Sequence, residues 1–166
     1  MIKDITIIRY FGKLLFSGTY KFGKKWNGYI YNSKGNLEFG LNDGDGSGKE
    51  YDFFNNITYE GNYKYGNRSG IGKEYNDGKM VYEGEFSGGD RHGKGREYNK
   101  LGQLIFEGEY IYGERYKGKL MEYYKEQLLF KADYSRERES DNLEVIKIID
   151  SEECFNGNSK YYRCKK

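Results

Sequence analysis

The sequence has no proline, and this absence limits how the chain can turn. Turns without proline are made with glycine, asparagine and aspartate, and the 24 glycines of the chain are enough for many of them. Glycine and asparagine are the residues that two-residue hairpin turns require. The composition therefore favours a meander of β-hairpins.

Cysteine is also scarce, with Cys154 and Cys164 alone, and they lie on either side of Asn156-Gly157. A tight turn at Asn156-Gly157 would place Cys154 opposite Ser159 and far from Cys164, so that a disulfide would need a wider loop. Residues 1–4 do not begin a secretory signal, and no apolar run approaches the length that spans a bilayer. We expect free thiols and an intracellular, cytoplasmic protein, either free or peripheral at a membrane or in a larger assembly.

Aromatic residues are abundant, and they oppose the disorder that a mean hydropathy of -0.99 would otherwise indicate. The chain has 19 tyrosines and 10 phenylalanines, and its formal net charge is only +2. Disordered chains have high net charge and few aromatics. The sequence predicts a folded protein with a core of aromatic rings.

One block recurs along the chain, with its clearest copy at 82–98. Tyr-Glu-Gly-Glu-Phe at 82–86 is followed by Gly-Asp-Arg-His-Gly-Lys-Gly-Arg-Glu-Tyr at 89–98. The aromatic residues that open successive copies are spaced by 23, 20, 23, 24 and 24 residues, at Phe16, Phe39, Tyr59, Tyr82, Phe106 and Phe130. A fixed period is the signature of a repeat architecture.

This block resembles the MORN (membrane occupation and recognition nexus) repeat, over roughly residues 5–134. The copies that open at Tyr59 and Tyr82 match throughout, those at Phe16 and Phe106 match in their first half, and the copy at Phe39 is about three residues short. The last copy has Ala132 where the others have glycine. The resemblance implies protein–protein contacts and self-association, and such repeats also occur in membrane-linked proteins and beside enzymes.

The repeats predict an all-β fold, an elongated, twisted antiparallel meander of stacked β-hairpins that forms a single-sheet rod or half-pipe. The predicted parts are an N-terminal cap at 1–15, the repeats at 16–134 and a C-terminal cap at 135–166. The β-branched stretch 5–10 is expected to cover the open edge of the first copy.

Alternation within each copy assigns its faces, since Tyr82, Gly84 and Phe86 share one side of the strand. Glycine inside a strand weakens packing, so its recurrence predicts a ring from a neighbouring strand lying over it. The residues with this predicted structural role are Gly18, Gly61, Gly84, Gly108, Tyr59, Tyr82 and Phe106.

Beyond the repeats, the polar stretch 135–141 predicts an exposed loop or short helical turn. The stretch 143–149 predicts a strand that forms a capping hairpin with 160–164. A helix over 136–149 is the alternative.

Residues with catalytic chemistry are few. His92 takes the place of Ser69 in the preceding copy and has no second histidine or cysteine at a metal-ligand spacing, so we expect a surface position and no metal. The glycine-rich stretch 44–49 lacks the P-loop pattern, and the repeat itself explains it. We therefore predict no enzyme and no cofactor.

Recurring charged and aromatic residues predict a low-affinity binding surface for anionic head groups or an acidic peptide. Its candidate residues are Lys25, Arg68, Arg91, Arg115, Tyr20, Tyr63, Phe86 and Tyr110, the aromatics being taken as exposed. A structural interpretation pairs the basic residues across strands with Glu60, Glu83, Glu85, Glu107 and Glu109. The small net charge argues against nucleic acid.

The predicted function is a non-enzymatic scaffold for protein–protein contacts or self-association. One alternative is a peripheral membrane adaptor for acidic phospholipids. The other is a structural subunit of a larger assembly, such as cytoskeletal, axonemal or virion machinery.

Overall fold

The computed structural model describes residues 6–10, 12–52, 54–124, 126–138 and 144–151, and in these ranges the chain is a succession of antiparallel strands. The thirteen strands of these ranges are β1 (Thr6–Tyr10), β2 (Lys13–Lys21), β3 (Lys24–Tyr31), β4 (Leu37–Leu41), β5 (Gly46–Tyr51), β6 (Ile57–Lys64), β7 (Asn67–Asn76), β8 (Lys79–Ser87), β9 (Asp90–Tyr98), β10 (Leu104–Ile111), β11 (Glu114–Tyr124), β12 (Gln127–Arg138) and β13 (Glu144–Ser151). The predicted all-β meander of hairpins is confirmed, and it is open.

Glycine makes the turns, as the missing proline led us to expect. At β2–β3, β6–β7, β7–β8 and β10–β11 the turn pairs a non-glycine residue with a following glycine, and both residues have positive φ. Two positive φ values define the type I′ turn, whose twist matches that of the flanking strands. These short turns keep consecutive strands adjacent.

A row of glycines crosses the sheet in register and is the backbone feature on which the array depends. Paired positions run through Gly48, Gly61, Gly72, Gly84, Gly95, Gly108 and Gly118, one on each strand from β5 to β11. The N-terminal strands continue the row with Gly18 and Gly28, but there Gly28 pairs with Leu41. The glycine row is therefore interrupted at β4.

The sheet is interrupted at the same place. Strands β1–β4 form a four-stranded sheet and β5–β13 a nine-stranded sheet, and between them only Asn42 and Asp45 form a bridge. Leu41 is buried, and its Cδ2 lies 3.0 Å from where a side chain on Gly46 would begin. The expected single sheet thus becomes two, and the break lies next to Leu41, which occupies the row position of this short copy.

The two ends of the array differ in how well they match expectation. The predicted N-terminal strand is present as β1, which pairs with β2, and the predicted strand near 143–149 is present as β13, which pairs with β12. The loop predicted from residue 135 is wrong for 135–138, since β12 continues to Arg138, and the alternative helix is wrong for the described residues of 136–149. Residues 139–143, the strand predicted at 160–164 and both cysteines lie outside the described residues.

The core consists of side chains that lie on one face of the meander. In the parts of the chain that the structure describes, strands make extended contacts only with their sequence neighbours. The buried apolar cluster contains Phe16, Ile30, Phe39, Leu41, Tyr59, Tyr63, Tyr82, Phe86, Phe106, Tyr110 and Tyr134. We call the side of the sheet that bears these rings the aromatic face. Each repeat therefore buries its rings against its neighbours, as in other repeat proteins.

Candidate functional site

The opening ring of each copy lies over the glycine row. A side chain on Gly84 would begin 2.6 Å from the Tyr82 hydroxyl and 2.6 Å from the Gly95 Cα atom, and Tyr59 and Phe106 crowd Gly61 and Gly108 in the same way. The ring comes from the same strand, two residues earlier, so the expectation that a neighbouring strand supplies it is wrong. The predicted need for space at Gly18, Gly61, Gly84 and Gly108 is confirmed.

In the copies that open at Tyr82 and Phe106, the second aromatic packs edge-on between two opening rings. Phe86 lies 5.3 Å from Tyr82 and 5.2 Å from Tyr59, and Tyr110 lies 5.0 Å from Tyr82 and 5.4 Å from Phe106, as distances between ring centroids. Such edge-to-face pairs contribute about 0.5–1.5 kcal/mol each beyond the area that they bury. These contacts link one hairpin to the next.

The binding surface expected from these aromatics is therefore mostly absent. Tyr63, Phe86 and Tyr110 are buried, because the alternation that puts them beside the opening rings also puts them in the core. Tyr20 alone among the four is exposed, at 37%, with its ring 5.3 Å from Phe16. The expectation that Tyr63, Phe86 and Tyr110 are exposed is wrong.

The predicted basic residues also lie on the aromatic face, one above each opening ring. The guanidinium carbons of Arg68 and Arg91 are 4.4 Å from the ring centroids of Tyr59 and Tyr82, and that of Arg115 is 5.1 Å from Phe106. Lys25 holds its ammonium 5.6 Å from the Phe16 ring. Cations over ring faces are attracted by the ring quadrupole.

Glutamates join these arginines into a continuous chain, which we call the arginine–glutamate ladder. Arg68 bonds to Glu50 at 2.5 Å and to Glu74 at 3.0 Å, and Arg91 bonds to Glu74 at 2.7 Å. The ladder continues through Glu97, whose carboxylate accepts a hydrogen bond from Arg115 Nε at 2.8 Å and lies 3.8 Å from Arg91. Three arginines and three glutamates thus neutralise one another.

The ladder shifts the pKa values of its members. Burial opposes ionisation of Glu97, but the Arg115 hydrogen bond and charge, with help from Tyr110 and Arg91, outweigh it and hold the pKa of Glu97 below its usual range. Burial raises the pKa of Tyr59 to about 12, although the Arg68 charge partly opposes this. Glu97 is therefore ionised and Tyr59 neutral near neutral pH.

The glutamates that the sequence assigned to the basic residues lie on the opposite face. Glu60 is 3.5 Å from Lys49, and Arg96 lies 3.9 Å from Glu83 and 2.7 Å from Glu107. Glu85 accepts a hydrogen bond from the Lys94 backbone N–H at 3.0 Å. Cross-strand pairing is thus present, but with Lys49 and Arg96 in place of the expected arginines.

Sequence reasoning missed a row of exposed aromatics at the turns along one edge of the meander, which we call the tip edge. It comprises the turns β2–β3, β4–β5, β6–β7, β8–β9 and β10–β11. Phe22, Tyr65 and Tyr112 stand in three of these turns with 89%, 59% and 81% of their surface exposed. All three have φ values of 50–52°. The available signal was the dipeptide aromatic-Gly between two strands.

The tip edge is ordered by bonds between turns. The Gly66 N–H donates to the Gly44 carbonyl at 2.8 Å, and the Gly113 N–H donates to the Arg91 carbonyl at 2.9 Å. The Trp26 ring stacks on Tyr65 with centroids 6.3 Å apart, and the Lys21 ammonium lies 4.4 Å from the Trp26 ring. These bonds fix the backbone of the turns that carry Tyr65 and Tyr112, and Trp26 also holds the Tyr65 ring.

A cleft of about 710 Å³ opens at the break between the two sheets. Its walls come from the start of β2, the ends of β3 and β5 and the turn before β6, and the lining side chains include Lys13, Leu15, Lys25, Ile30, Lys34, Lys49 and Phe54. Its volume falls in the range of small-molecule sites. No sequence signal placed these residues together.

His92 lies beside the tip edge, half-buried, with its ring 6.0 Å from that of Tyr112. Among the described ranges, no group of three or more histidine, cysteine, aspartate or glutamate side chains is placed to hold a metal ion. Nor does any helix in those ranges have the length and hydrophobicity to cross a membrane.

Comparison with known proteins gives no family. No protein-family model matches the chain, and no curated protein matches its sequence significantly. The likeness to the MORN repeat therefore rests on the spacing of aromatics, glycines and basic residues in the sequence itself.

Proposed function

We propose that this protein is a non-enzymatic scaffold of MORN-like repeats that binds a protein partner, or a second copy of itself, along the tip edge. The observation that carries the proposal is the exposure of Phe22, Tyr65 and Tyr112 on turns of one edge, two of which are hydrogen-bonded to the preceding hairpin through Gly66 and Gly113. In this proposal the sheet is the rigid support, and the exposed rings of the turns contact the partner.

These aromatics stand where local energetics disfavour them. A positive φ is uncommon for a bulky residue and costs about 1–2 kcal/mol, whereas asparagine, aspartate and glycine tolerate it. The same chain uses Asp43 and Asp77 at equivalent turn positions. Retaining an exposed ring at this cost supports a role in contact, since aromatics are enriched in the cores of protein interfaces.

The arginine–glutamate ladder supports the same proposal and weakens the membrane alternative. Arg68, Arg91 and Arg115, which were expected to hold acidic head groups, bond to glutamates and are less than one-third exposed. Recruiting them to a phosphate would require breaking these bonds. The tip edge needs no such rearrangement to receive a partner.

Affinity capture from native cell extract at physiological salt, with the full chain as bait, tests this function. Replacing Phe22, Tyr65 and Tyr112 together by asparagine removes the rings while suiting the turns, and Leu101→Asn serves as the control in an exposed turn on the opposite edge. We expect a stoichiometric protein partner, or a concentration-dependent dimer in sedimentation, that the triple variant loses and the control keeps. Equal capture by the wild type and the triple variant would contradict the proposal.

A further inference from the structure

The hairpin β2–β3 lacks the counter-charges that the hairpins β6–β7 and β8–β9 possess. Lys25 pairs with Tyr20 in the register, as Arg68 pairs with Tyr63 and Arg91 with Phe86. The residue opposite the opening aromatic is Glu74 in one of these hairpins and Glu97 in the other. In the first hairpin that residue is Ile30.

The preceding strand does not supply a carboxylate either. Arg68 and Arg91 each reach back to a glutamate of the preceding copy, Glu50 and Glu74. The corresponding residue of β1, which pairs with Phe16, is Ile8. Isoleucine thus occupies both positions that hold a glutamate in the other two hairpins, and the Lys25 ammonium makes no ion pair with any residue that the structure describes. An ammonium over a ring with no carboxylate at either position is a cation without its anion.

This cation lies in the wall of the cleft, where further lysines accompany it. Lys13 and Lys34 also line the cleft and form no ion pair within the described ranges. Lys49 lines it too, but its ammonium forms an ion pair with Glu60. Of the two carboxylates in the lining, Glu50 bonds to Arg68, and Asp52 accepts hydrogen bonds from the neutral Asn56 and so remains one negative charge beside Lys13, Lys25 and Lys34. Positive charge is therefore in excess around this cavity.

Most of the remaining lining is apolar or aromatic, beside Ser33 and Thr58. Leu15 and Ile30 contribute aliphatic surface, and Tyr31, Tyr51 and Phe54 contribute rings. Pockets with a mainly apolar wall and a few polar groups are the usual form of small-molecule sites. The cleft would therefore accept an anionic group that carries an apolar body.

We propose that this cleft binds a phosphorylated small molecule, with the phosphate at Lys25 and its neighbouring lysines and the apolar body against Leu15 and Ile30. Lysine ammonium groups are point charges that suit a multiply charged tetrahedral anion, whereas carboxylate recognition favours the planar fork of arginine. The site is separate from the tip edge and goes beyond the scaffold function.

Titration of the full chain with phenyl phosphate, followed by amide NMR shifts of Leu15, Ile30 and Tyr31, tests the site. Inorganic phosphate and phenol are the two half-ligands, and we expect both to bind more weakly than phenyl phosphate. The key variant is Ile30→Glu, which places beside Lys25 the carboxylate that the hairpins β6–β7 and β8–β9 have at this position. We expect it to weaken binding about tenfold or more, because the ammonium is then neutralised within the protein.

Two further variants separate loss of the site from loss of the fold. Lys25→Ala removes the cation without burying a new charge and should weaken phenyl phosphate binding about tenfold, while Lys73→Gln, on an exposed lysine of β7, should leave it within about twofold. Vesicles containing phosphatidic acid distinguish the sources. If the vesicles compete with phenyl phosphate, the site is assigned to a lipid phosphate. If they do not compete, the site is assigned to a soluble phosphate ester. No saturable shift with phenyl phosphate, or equal affinity of wild type and Lys25→Ala, overturns the proposal.

Discussion

The hairpins β6–β7 and β8–β9 and the first two hairpins use the same aromatic pattern but differ at a few positions. The regular hairpins have glycine on both strands of the row and glutamates beside each arginine. The N-terminal hairpins have Leu41 in the row and Ile30 in the place of a glutamate. The regular region is a continuous ladder with paired charges, whereas the N-terminal region has a break, a cleft and an unpaired lysine.

The difference shows which features make the array. Opening aromatics are present in both regions, so rings alone do not keep the strands in one ladder. Glycine in the row lets the ring lie flat and the next strand approach, and glutamate satisfies the cation above the ring. In the N-terminal region, where both are replaced, the strands remain, but the ladder is interrupted beside Leu41 and Lys25 has no ion pair with a described residue.

Gly84→Val should have the largest effect, since it places a bulky side chain in the glycine row in the middle of the regular region, where β4 has Leu41. The new side chain would meet the Tyr82 hydroxyl and the Gly95 backbone, neither of which can move freely. We expect a loss of about 3 kcal/mol or more in the free energy of unfolding, or an insoluble protein, by urea denaturation. Glu85→Ala, on the opposite face, should cost about 1 kcal/mol or less. Equal tolerance of both would mean that the faces are assigned wrongly.

Glu97→Ala should have the next effect, because it removes the carboxylate that serves both Arg91 and Arg115. We expect a loss of about 1.5–3 kcal/mol in the free energy of unfolding, the usual range for hydrogen bonds to charged groups. The exposed Glu109 of β10 is the matched control, and Glu109→Ala should change stability by about 0.5 kcal/mol or less. A Glu97→Ala loss no larger than the control's would show that the ladder does not stabilise the sheet.

Acid should weaken the regular region through the same glutamate. The pKa of Glu97 is lower in the folded protein than in the unfolded chain, so its contribution is present above the unfolded pKa of about 4.3 and is lost as pH falls through the folded pKa. Urea midpoints measured from neutral pH downward should fall in this window. Glu97→Gln should show a shallower fall than wild type, and an unchanged slope would contradict the assignment.

Tyr112→Asn should have the smallest effect and the opposite sign. Asparagine tolerates the positive φ of this turn better than tyrosine does, and the ring is largely exposed. We expect a gain of about 0.5–1 kcal/mol in the free energy of unfolding. A clear loss of stability would show that the ring serves the fold, and the tip edge would then lose its claim to be a contact surface.

The sequence predicted the fold well because the repeat marks its own register. The period of Phe16, Tyr59, Tyr82 and Phe106 and the alternation around Gly84 were enough to assign strands and faces. It failed for Tyr63, Phe86 and Tyr110 because the face that they share with the opening rings was taken as both core and binding surface. Alternation gives the side of a strand but does not tell which side is covered.

The cleft was beyond sequence reasoning for another reason. It depends on which residues the register brings together, such as Ile8 of β1 and Ile30 of β3 on either side of Phe16. The sequence shows Leu41 as a departure from the repeat. Only the register shows that a ladder ends beside it.

Native-state amide hydrogen exchange is the most direct test of the break that separates the first four strands from the regular ladder. We expect amides on the facing edges of β4 and β5 to exchange at least about tenfold faster than those between β7 and β8, because among the described residues only Asn42 and Asp45 bridge the former pair. Equal protection at the two places would contradict it, since the strands on either side of Leu41 would then form a ladder like any other.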